Sequence, residues 1–222
     1  MKGVIFDVDG VIVDVKESYH LAIKMTAEAF LGHEVDLDTV RAIKFGKGIN
    51  NDWIATREVI KYFGKEIEIE EIISVFNRIY RQVRDKEKLI LDGKFFSYLK
   101  TQNIPLGILT GRPKEDLEYT FKRFGLFEYF DFILDDDQIS VEELKKPHPF
   151  ALHLCIESMN LSACAYVGDS KADWEMVNSY RKMYEKSVKY VHFGQNVKVD
   201  GVITVNAPDE LALTLQEVLK HL

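Results

Sequence analysis

The stretch MKGVIFDVDGVIVD, residues 1–14, begins with a short apolar run and continues with regularly placed carboxylates. The apolar residues 3–6 end at Asp7, and apolar runs bounded by polar residues are typical of buried strands in parallel sheets. Asp7 and Asp9 lie two residues apart, so both side chains can face one pocket, and Gly10 allows the chain to turn away sharply. We therefore predict a buried strand whose carboxyl end presents two carboxylates.

Similar short apolar runs recur along the rest of the chain, at residues 104–109, 132–134, 163–167, 188–192 and 202–205. Stretches with helical spacing accompany them, at residues 115–124, 149–159, 172–180 and 208–219. Strands that alternate with helices indicate a parallel sheet covered on both faces. The predicted fold class is therefore α/β, with a Rossmann-like, doubly wound parallel sheet.

One span interrupts this alternation. Residues 16–88 show only helical patterns, at 19–30, 37–43, 52–63 and 70–83. We interpret this span as an all-helical cap domain that is inserted after the first strand, while residues 1–15 and 89–222 form the catalytic core. Short hinges are expected near Asp14 and near Leu91.

Composition sets broad limits on function. The chain has 222 residues, of which 46% are hydrophobic and 29% charged, as in globular proteins. Charged residues interrupt its apolar N-terminus, which predicts neither a signal peptide nor a membrane span, and hence a cytoplasmic protein. A net charge of -7 argues against general nucleic-acid binding, because nucleic-acid partners require a basic face. Two cysteines are too few for a disulfide framework. We expect a monomer or homodimer.

Four polar segments follow predicted strands or precede predicted helices: DVDG at 7–10, LTGRP at 109–113, KKPHP at 145–149 and VGDSKAD at 167–173. Each alone has an ordinary structural explanation as a helix cap or a turn. Ligands of open parallel sheets, however, bind beyond the carboxyl ends of the strands, where these segments are expected to converge. Several carboxylates in one pocket require a divalent cation, and an all-oxygen ligand set suits Mg²⁺.

These residue types suit phosphoryl transfer. A carboxylate beside the metal can attack phosphorus and form an aspartyl-phosphate. Phosphoryl transfer depends above all on charge neutralisation, which Mg²⁺, a lysine and helix N–H groups can supply. The sequence therefore favours a phosphohydrolase that acts on a small phosphorylated metabolite.

The four segments, in this order and with a helical insertion after the first, resemble the motifs of the haloacid dehalogenase superfamily, in particular subfamily I phosphatases with a helical cap. The resemblance covers essentially the whole chain. It implies that Asp7 is the nucleophile and a metal ligand, and that Asp9 is the general acid and base, with its backbone carbonyl as a further metal ligand. Members that displace halide lack the second carboxylate, so Asp9 favours phosphate chemistry.

The resemblance also gives roles to the remaining motifs. Thr110 and the Gly111 N–H would hold the phosphoryl oxygens, and Lys146 would neutralise the transferring group. Lys145 is the competing lysine, but only Lys146 directly precedes a proline, as the family pattern requires. Asp169 would complete the metal site, with Asp173 either coordinating the metal or orienting other groups.

Substrate contacts are expected from the loop between the first cap helices and from Arg112. In the loop, residues 44–53, the candidates are Lys47, Asn50 and Asn51. The alternative is that the glycines of this loop end one helix, that Asn50 or Asn51 caps the next, and that the lysines are solvated. Arg112 is expected to cover the pocket or to pair with a carboxylate of the cap.

Two alternatives to hydrolysis share these residues. A phosphomutase of the same superfamily passes the phosphoryl group back to its substrate, and exclusion of water by the closed cap decides between the two outcomes. A regulatory protein could use the same acidic pocket to bind phosphate without turnover.

Overall fold

A computed structural model describes residues 1–194 and 201–222. The chain divides into two compact units, one formed by Met1–Val13 with Leu89–Leu222 and the other by Asp14–Lys88. We call them the sheet unit and the helical unit. Within the described residues, no helix combines the length and the apolar character needed to cross a membrane.

The described residues contain eight strands: β1 Lys2–Phe6, β2 Val13–Asp14, β3 Lys88–Leu89, β4 Leu106–Leu109, β5 Phe132–Leu134, β6 Ala163–Gly168, β7 Ser187–Phe193 and β8 Ile203–Val205. Six of them form one parallel sheet in the order β5-β4-β1-β6-β7-β8. The short strands β2 and β3 pair with each other. The order reverses direction beside β1, as in a doubly wound sheet.

The helices of the described residues are α1 Tyr19–Leu31, α2 Leu37–Gly46, α3 Asp52–Tyr62, α4 Ile69–Val83, α5 Gly93–Thr101, α6 Lys114–Phe124, α7 Phe150–Ser158, α8 Lys171–Met183 and α9 Pro208–Lys220. Helices α7 and α8 contact each other and pack on strands β4 to β7, while α9 packs on β1 and β6 and contacts α5. This arrangement confirms the predicted α/β class with an inserted helical domain.

The register of the three central strands brings the motifs together. Val4 of β1 pairs with Leu106 of β4 on one side and with Ala165 of β6 on the other. The backbone N–H of Asp7 then donates to the carbonyl of Val167 at 2.9 Å. Because the strands are parallel neighbours, the residues that follow them lie along one edge of the sheet.

The helical unit contains α1 to α4, and α1 packs against both α3 and α4. Stacked aromatic rings line this packing, with the Tyr19 and Tyr80 centroids 4.2 Å apart. The buried carboxylate of Glu87 accepts hydrogen bonds from the hydroxyls of Ser18 and Tyr80, each at 3.0 Å. Since buried carboxylates require such partners, these bonds tie the two ends of the inserted segment together.

Helix α5 was missed by the sequence analysis. Asp92 caps it by accepting hydrogen bonds from the backbone N–H groups of Lys94 and Phe95. Its buried face is formed by Phe95, Phe96 and Leu99, a spacing typical of a helix. Both the cap and the spacing could therefore have been recognised in the sequence, although the helix is only 9 residues long.

Candidate active site

The loop after β1 brings two motif segments into direct contact. Gly10 has a φ of +76°, and a Cβ atom at this position would lie 2.0 Å from Oδ2 of Asp169. Only glycine therefore allows the Asp169 carboxylate to sit against this loop. The contact places Asp169 beside the segment that carries Asp7.

Lys146 lies between two buried carboxylates. Its Nζ donates to Oδ1 of Asp7 at 3.0 Å and to Oδ1 of Asp173 at 2.9 Å. The Lys146 side chain is only 3% exposed. Lys145, by contrast, has its Nζ 2.6 Å from Oδ2 of Asp136 and 3.0 Å from Oε2 of Glu142. Of the two candidate lysines, Lys146 is the one held by the motif carboxylates.

Asp173 uses both of its carboxylate oxygens in hydrogen bonds. Oδ1 accepts from Lys146 and from the hydroxyl of Tyr166, the latter at 2.8 Å. Oδ2 accepts from the backbone N–H of Ser170 at 3.2 Å and from its hydroxyl at 2.6 Å. A carboxylate has about four lone-pair sites, so these four bonds use its accepting capacity. Asp173 is therefore oriented by its neighbours onto Lys146.

The electrostatics of the cluster follow from two carboxylates that share one ammonium group. Burial raises the pKa of Asp7 to about 7, although Lys146 acts in the opposite direction. Burial also acts to raise the pKa of Asp173, but Lys146 and the hydrogen bonds from Ser170 and Tyr166 prevail and hold it below its ordinary value. Burial alone would lower the pKa of Lys146, yet Asp173 and Asp7 raise it. Of these two carboxylates, Asp7 is therefore the one whose pKa is shifted toward protonation.

Three buried carboxylates could hold a metal ion. Asp7, Asp169 and Asp173 each offer one oxygen, and these atoms lie within 4.8 Å of one another. An oxygen-only set suits a hard cation such as Mg²⁺. The residues therefore fit the expected ion, and both oxygens of Asp173 also accept hydrogen bonds from protein groups.

Thr110 follows β4 and is buried, and its backbone N–H donates a hydrogen bond to the backbone carbonyl of Leu134 at 3.1 Å. Its hydroxyl accepts from the Arg112 N–H at 3.1 Å, while Gly111 between them is exposed. The sequence analysis expected helix N–H groups to contribute to charge neutralisation, and α6 begins directly after this motif. Oδ2 of Asp137 accepts from the Lys114 N–H at 2.8 Å, so one donor of that first turn already has a carboxylate.

Arg112 has partners that the sequence analysis did not consider. Its side chain is fully buried, and its Nε donates to Oδ1 of Asp9 at 2.6 Å. Its Nη1 donates to the hydroxyl of Thr120 on α6 at 2.8 Å. The expected roles were contact with the substrate or with a cap carboxylate, whereas these two bonds lie within the sheet unit.

The three candidate residues of the helical unit lie between α2 and α3. Asn51 caps α3 by accepting hydrogen bonds from the N–H groups of Trp53 and Ile54. Lys47 forms an ion pair with Glu58, and Asn50 is exposed. Asn51 thus has the structural role that the sequence analysis gave as its alternative, and the substrate contacts of these residues remain a prediction.

Tyr166 and Thr120 were not identified from the sequence. Tyr166 is buried in β6, where its hydroxyl must find a hydrogen-bond partner, and this hydroxyl in an otherwise apolar run was the available signal. The Lys146 Nζ also lies 5.3 Å from the centroid of the Tyr166 ring. Thr120 is an interior residue of a helix, and nothing in the local sequence marks it.

Comparison with known proteins gives consistent matches over most of the chain. A phosphoglycolate phosphatase of Photobacterium profundum is 28% identical over 182 residues, which cover 78% of this chain and 77% of the relative. A phosphorylated carbohydrates phosphatase of Thermotoga maritima is 25% identical over 228 residues, covering 99% of this chain and 100% of the relative.

Solved structures share the fold. A β-phosphoglucomutase of Clostridium difficile superposes with a TM-score of 0.75 at 21% identity, covering 99% of this chain and 97% of that chain. Phosphatase Tt82 of Thermococcus thioreducens gives a TM-score of 0.68 at 24% identity, with 99% of each chain covered. The family model described as haloacid dehalogenase-like hydrolase matches residues 1–179. The chain therefore belongs to the haloacid dehalogenase-like hydrolase family.

Proposed function

We propose that the protein is a magnesium-dependent phosphatase that hydrolyses a small phosphate monoester through an aspartyl-phosphate on Asp7. The observation that carries this proposal is the buried arrangement of Asp7, Lys146 and Asp173 next to Asp169. Phosphatase relatives that align with most of the chain support the same reaction class.

Asp7 and Asp169, together with the backbone carbonyl of Asp9, would hold Mg²⁺. When bound, the ion would neutralise charge on the carboxylates and on the transferring phosphoryl group. Asp173 has its oxygens committed to Lys146, Tyr166 and Ser170, so its contribution is to fix the lysine rather than to bind the ion directly.

In the first half-reaction, an oxygen of Asp7 forms a bond to phosphorus while the bond from phosphorus to the leaving oxygen breaks. Lys146 stays beside Asp7 and offsets the negative charge of the transferring group. The Thr110 hydroxyl and the Gly111 N–H bind phosphoryl oxygens, and Asp9 gives a proton to the leaving oxygen.

In the second half-reaction, Asp9 takes a proton from water, whose oxygen then attacks phosphorus. The bond between phosphorus and Asp7 breaks, which releases inorganic phosphate and restores the carboxylate. A phosphomutase would instead return the phosphoryl group to a second hydroxyl of the substrate. The phosphatase names of the aligned relatives favour hydrolysis, since the β-phosphoglucomutase likeness concerns the fold alone.

The helical unit would then act as the cap that selects the substrate, with Lys47, Asn50 and Asn51 as the candidates for substrate contact. The named relatives act on phosphoglycolate and on phosphorylated carbohydrates, so a small, soluble phosphorylated metabolite of the cytoplasm is the substrate class to test first.

The test is phosphate release from a panel of sugar phosphates, phosphoglycolate and simple monoesters, with Mg²⁺ or with a chelator. Asp7→Asn and Asp9→Asn are compared with the parent protein and with Asp209→Asn, a matched change at an exposed carboxylate of the sheet unit. We expect release only with Mg²⁺, unchanged by Asp209→Asn and abolished by Asp7→Asn. Phosphate release that survives Asp7→Asn would contradict the covalent route. Product isomers without free phosphate would indicate a mutase.

A further inference from the structure

Arg112 is a charged residue with no access to solvent. Its side chain has 0% exposure, although a buried guanidinium is costly unless it is paired. The Asp9 carboxylate supplies the opposite charge at 2.6 Å and remains 31% exposed. Within this ion pair Arg112 is therefore the buried partner, and the Asp9 carboxylate is the partner that is exposed to solvent.

Two further hydrogen bonds hold Arg112 in place. Its Nη1 donates to the Thr120 hydroxyl at 2.8 Å, and its backbone carbonyl accepts from the Asp136 N–H at 3.0 Å. Thr120 is itself fully buried on α6. A planar guanidinium that is held at one edge presents its other donors in a fixed direction. Its direction toward Asp9 is thus set by the packing of α6.

We propose that Arg112 is the positioning residue for Asp9, so that the Thr120–Arg112–Asp9 chain of hydrogen bonds orients the carboxylate that moves protons at the active site. The inference rests on the proposed function, since it concerns the acid and base of that reaction. Arg112 then acts through Asp9 and does not itself touch the substrate.

Orientation matters here because Asp9 must meet two different oxygens, that of the leaving group and that of water. General acid and base catalysis contributes on the order of 100-fold or more, and it requires a proton donor within hydrogen-bond reach. A displacement of about 1 Å can remove a large part of that factor. A loosened Asp9 should therefore slow proton transfer while leaving the nucleophile Asp7 in place.

Two substrates separate this role from a general loss of structure. An alkyl phosphate that the parent hydrolyses needs a proton on its leaving oxygen, whereas p-nitrophenyl phosphate has a leaving group that departs without one. The variants are Arg112→Met and Thr120→Val, with Arg123→Met as the matched control, since Arg123 is an exposed arginine on α6. The values of kcat/KM are measured for both esters, because they report the step that forms the phosphoenzyme.

For Arg112→Met we expect kcat/KM on the alkyl ester to fall about 10-fold more than on p-nitrophenyl phosphate, with a smaller fall in the same direction for Thr120→Val. In an Asp9→Asn background, Arg112→Met should cause no further loss, because residues that act as one unit are not additive. Arg123→Met should match the parent.

Equal losses on the two esters, or full additivity with Asp9→Asn, would overturn this inference while leaving the proposed function intact. A parent protein that releases phosphate from no ester of the panel overturns the proposed function, and this inference with it. Thr120→Val keeps the charge pair, so it provides a folded variant if Arg112→Met does not fold.

Discussion

The replacement Asp7→Asn should remove the nucleophile and yet make the metal-free protein more stable at pH 8. The reason is that two buried carboxylates, Asp7 and Asp173, share the single ammonium group of Lys146. Asp173 has further donors that keep it ionised, so the unfavourable burial of charge falls on Asp7. Asparagine has nearly the same shape and carries no charge.

The size of the effect follows from linkage. Burial raises the pKa of Asp7 from 3.8 to about 7, so the folded state holds a proton that the unfolded state has lost. The contribution of protonated Asp7 to the free energy of unfolding is fully present below pH 3.8, falls as the pH rises and is lost above about 7. The difference between the folded and the unfolded pKa of Asp7 corresponds to a free energy of roughly 4 kcal/mol. A poorer hydrogen bond from Lys146 to asparagine offsets about 2 kcal/mol, which leaves a net gain of about 2 kcal/mol at pH 8.

The assay is urea unfolding of the parent and of Asp7→Asn between pH 4 and pH 8, in the presence of a chelator. The free-energy difference between the two proteins should grow with pH and level off above pH 7. Saturating Mg²⁺ should stabilise the parent much more at pH 8 than at pH 5, because the ion must displace the proton. A parent that is more stable than Asp7→Asn at pH 8 without metal would refute this account.

Three further outcomes can be measured. Gly10→Ala should abolish Mg²⁺ binding in calorimetry because its Cβ would collide with Asp169, whereas Gly125→Ala, also at positive φ but with open space around it, should leave binding intact. Asn51→Ala should lower the free energy of unfolding by about 1 kcal/mol through loss of the α3 cap; a raised KM in the same variant would support substrate contact. Tyr166→Phe should lower kcat about 10-fold with little change in KM, since one hydrogen bond to a charged group is worth about 1.5 kcal/mol or more.

The sheet and most helices were predictable because their signals are local. Residues 132–134 were predicted as a strand and form β5, and the helix predicted at 208–219 is α9. Parallel pairing then leaves one edge at which catalytic residues can gather, so the convergence of the motif segments also followed from the sequence.

Contacts between side chains that are far apart in sequence were not predictable. Arg112 and Asp9 are 103 residues apart, and the pairing depends on how α6 packs against the sheet. The carboxylate of Asp137 at the start of α6 depends in the same way on the loop after β5. A sequence shows that an arginine is present, but only packing determines whether its guanidinium meets a substrate or a neighbouring carboxylate.

The charges of the assembled site give a physical reason for the proposed Mg²⁺ dependence that no single motif contains. Asp9 is compensated by Arg112, and Asp173 by Lys146. Lys146 is shared with Asp7, and a divalent cation bound by Asp7 and Asp169 would add positive charge to this carboxylate pair. Burial raises the pKa of Asp7 to about 7, and a protonated Asp7 could not attack phosphorus. Under the proposed mechanism, metal binding and deprotonation of Asp7 are therefore coupled, and apparent Mg²⁺ affinity should weaken as the pH falls below about 7.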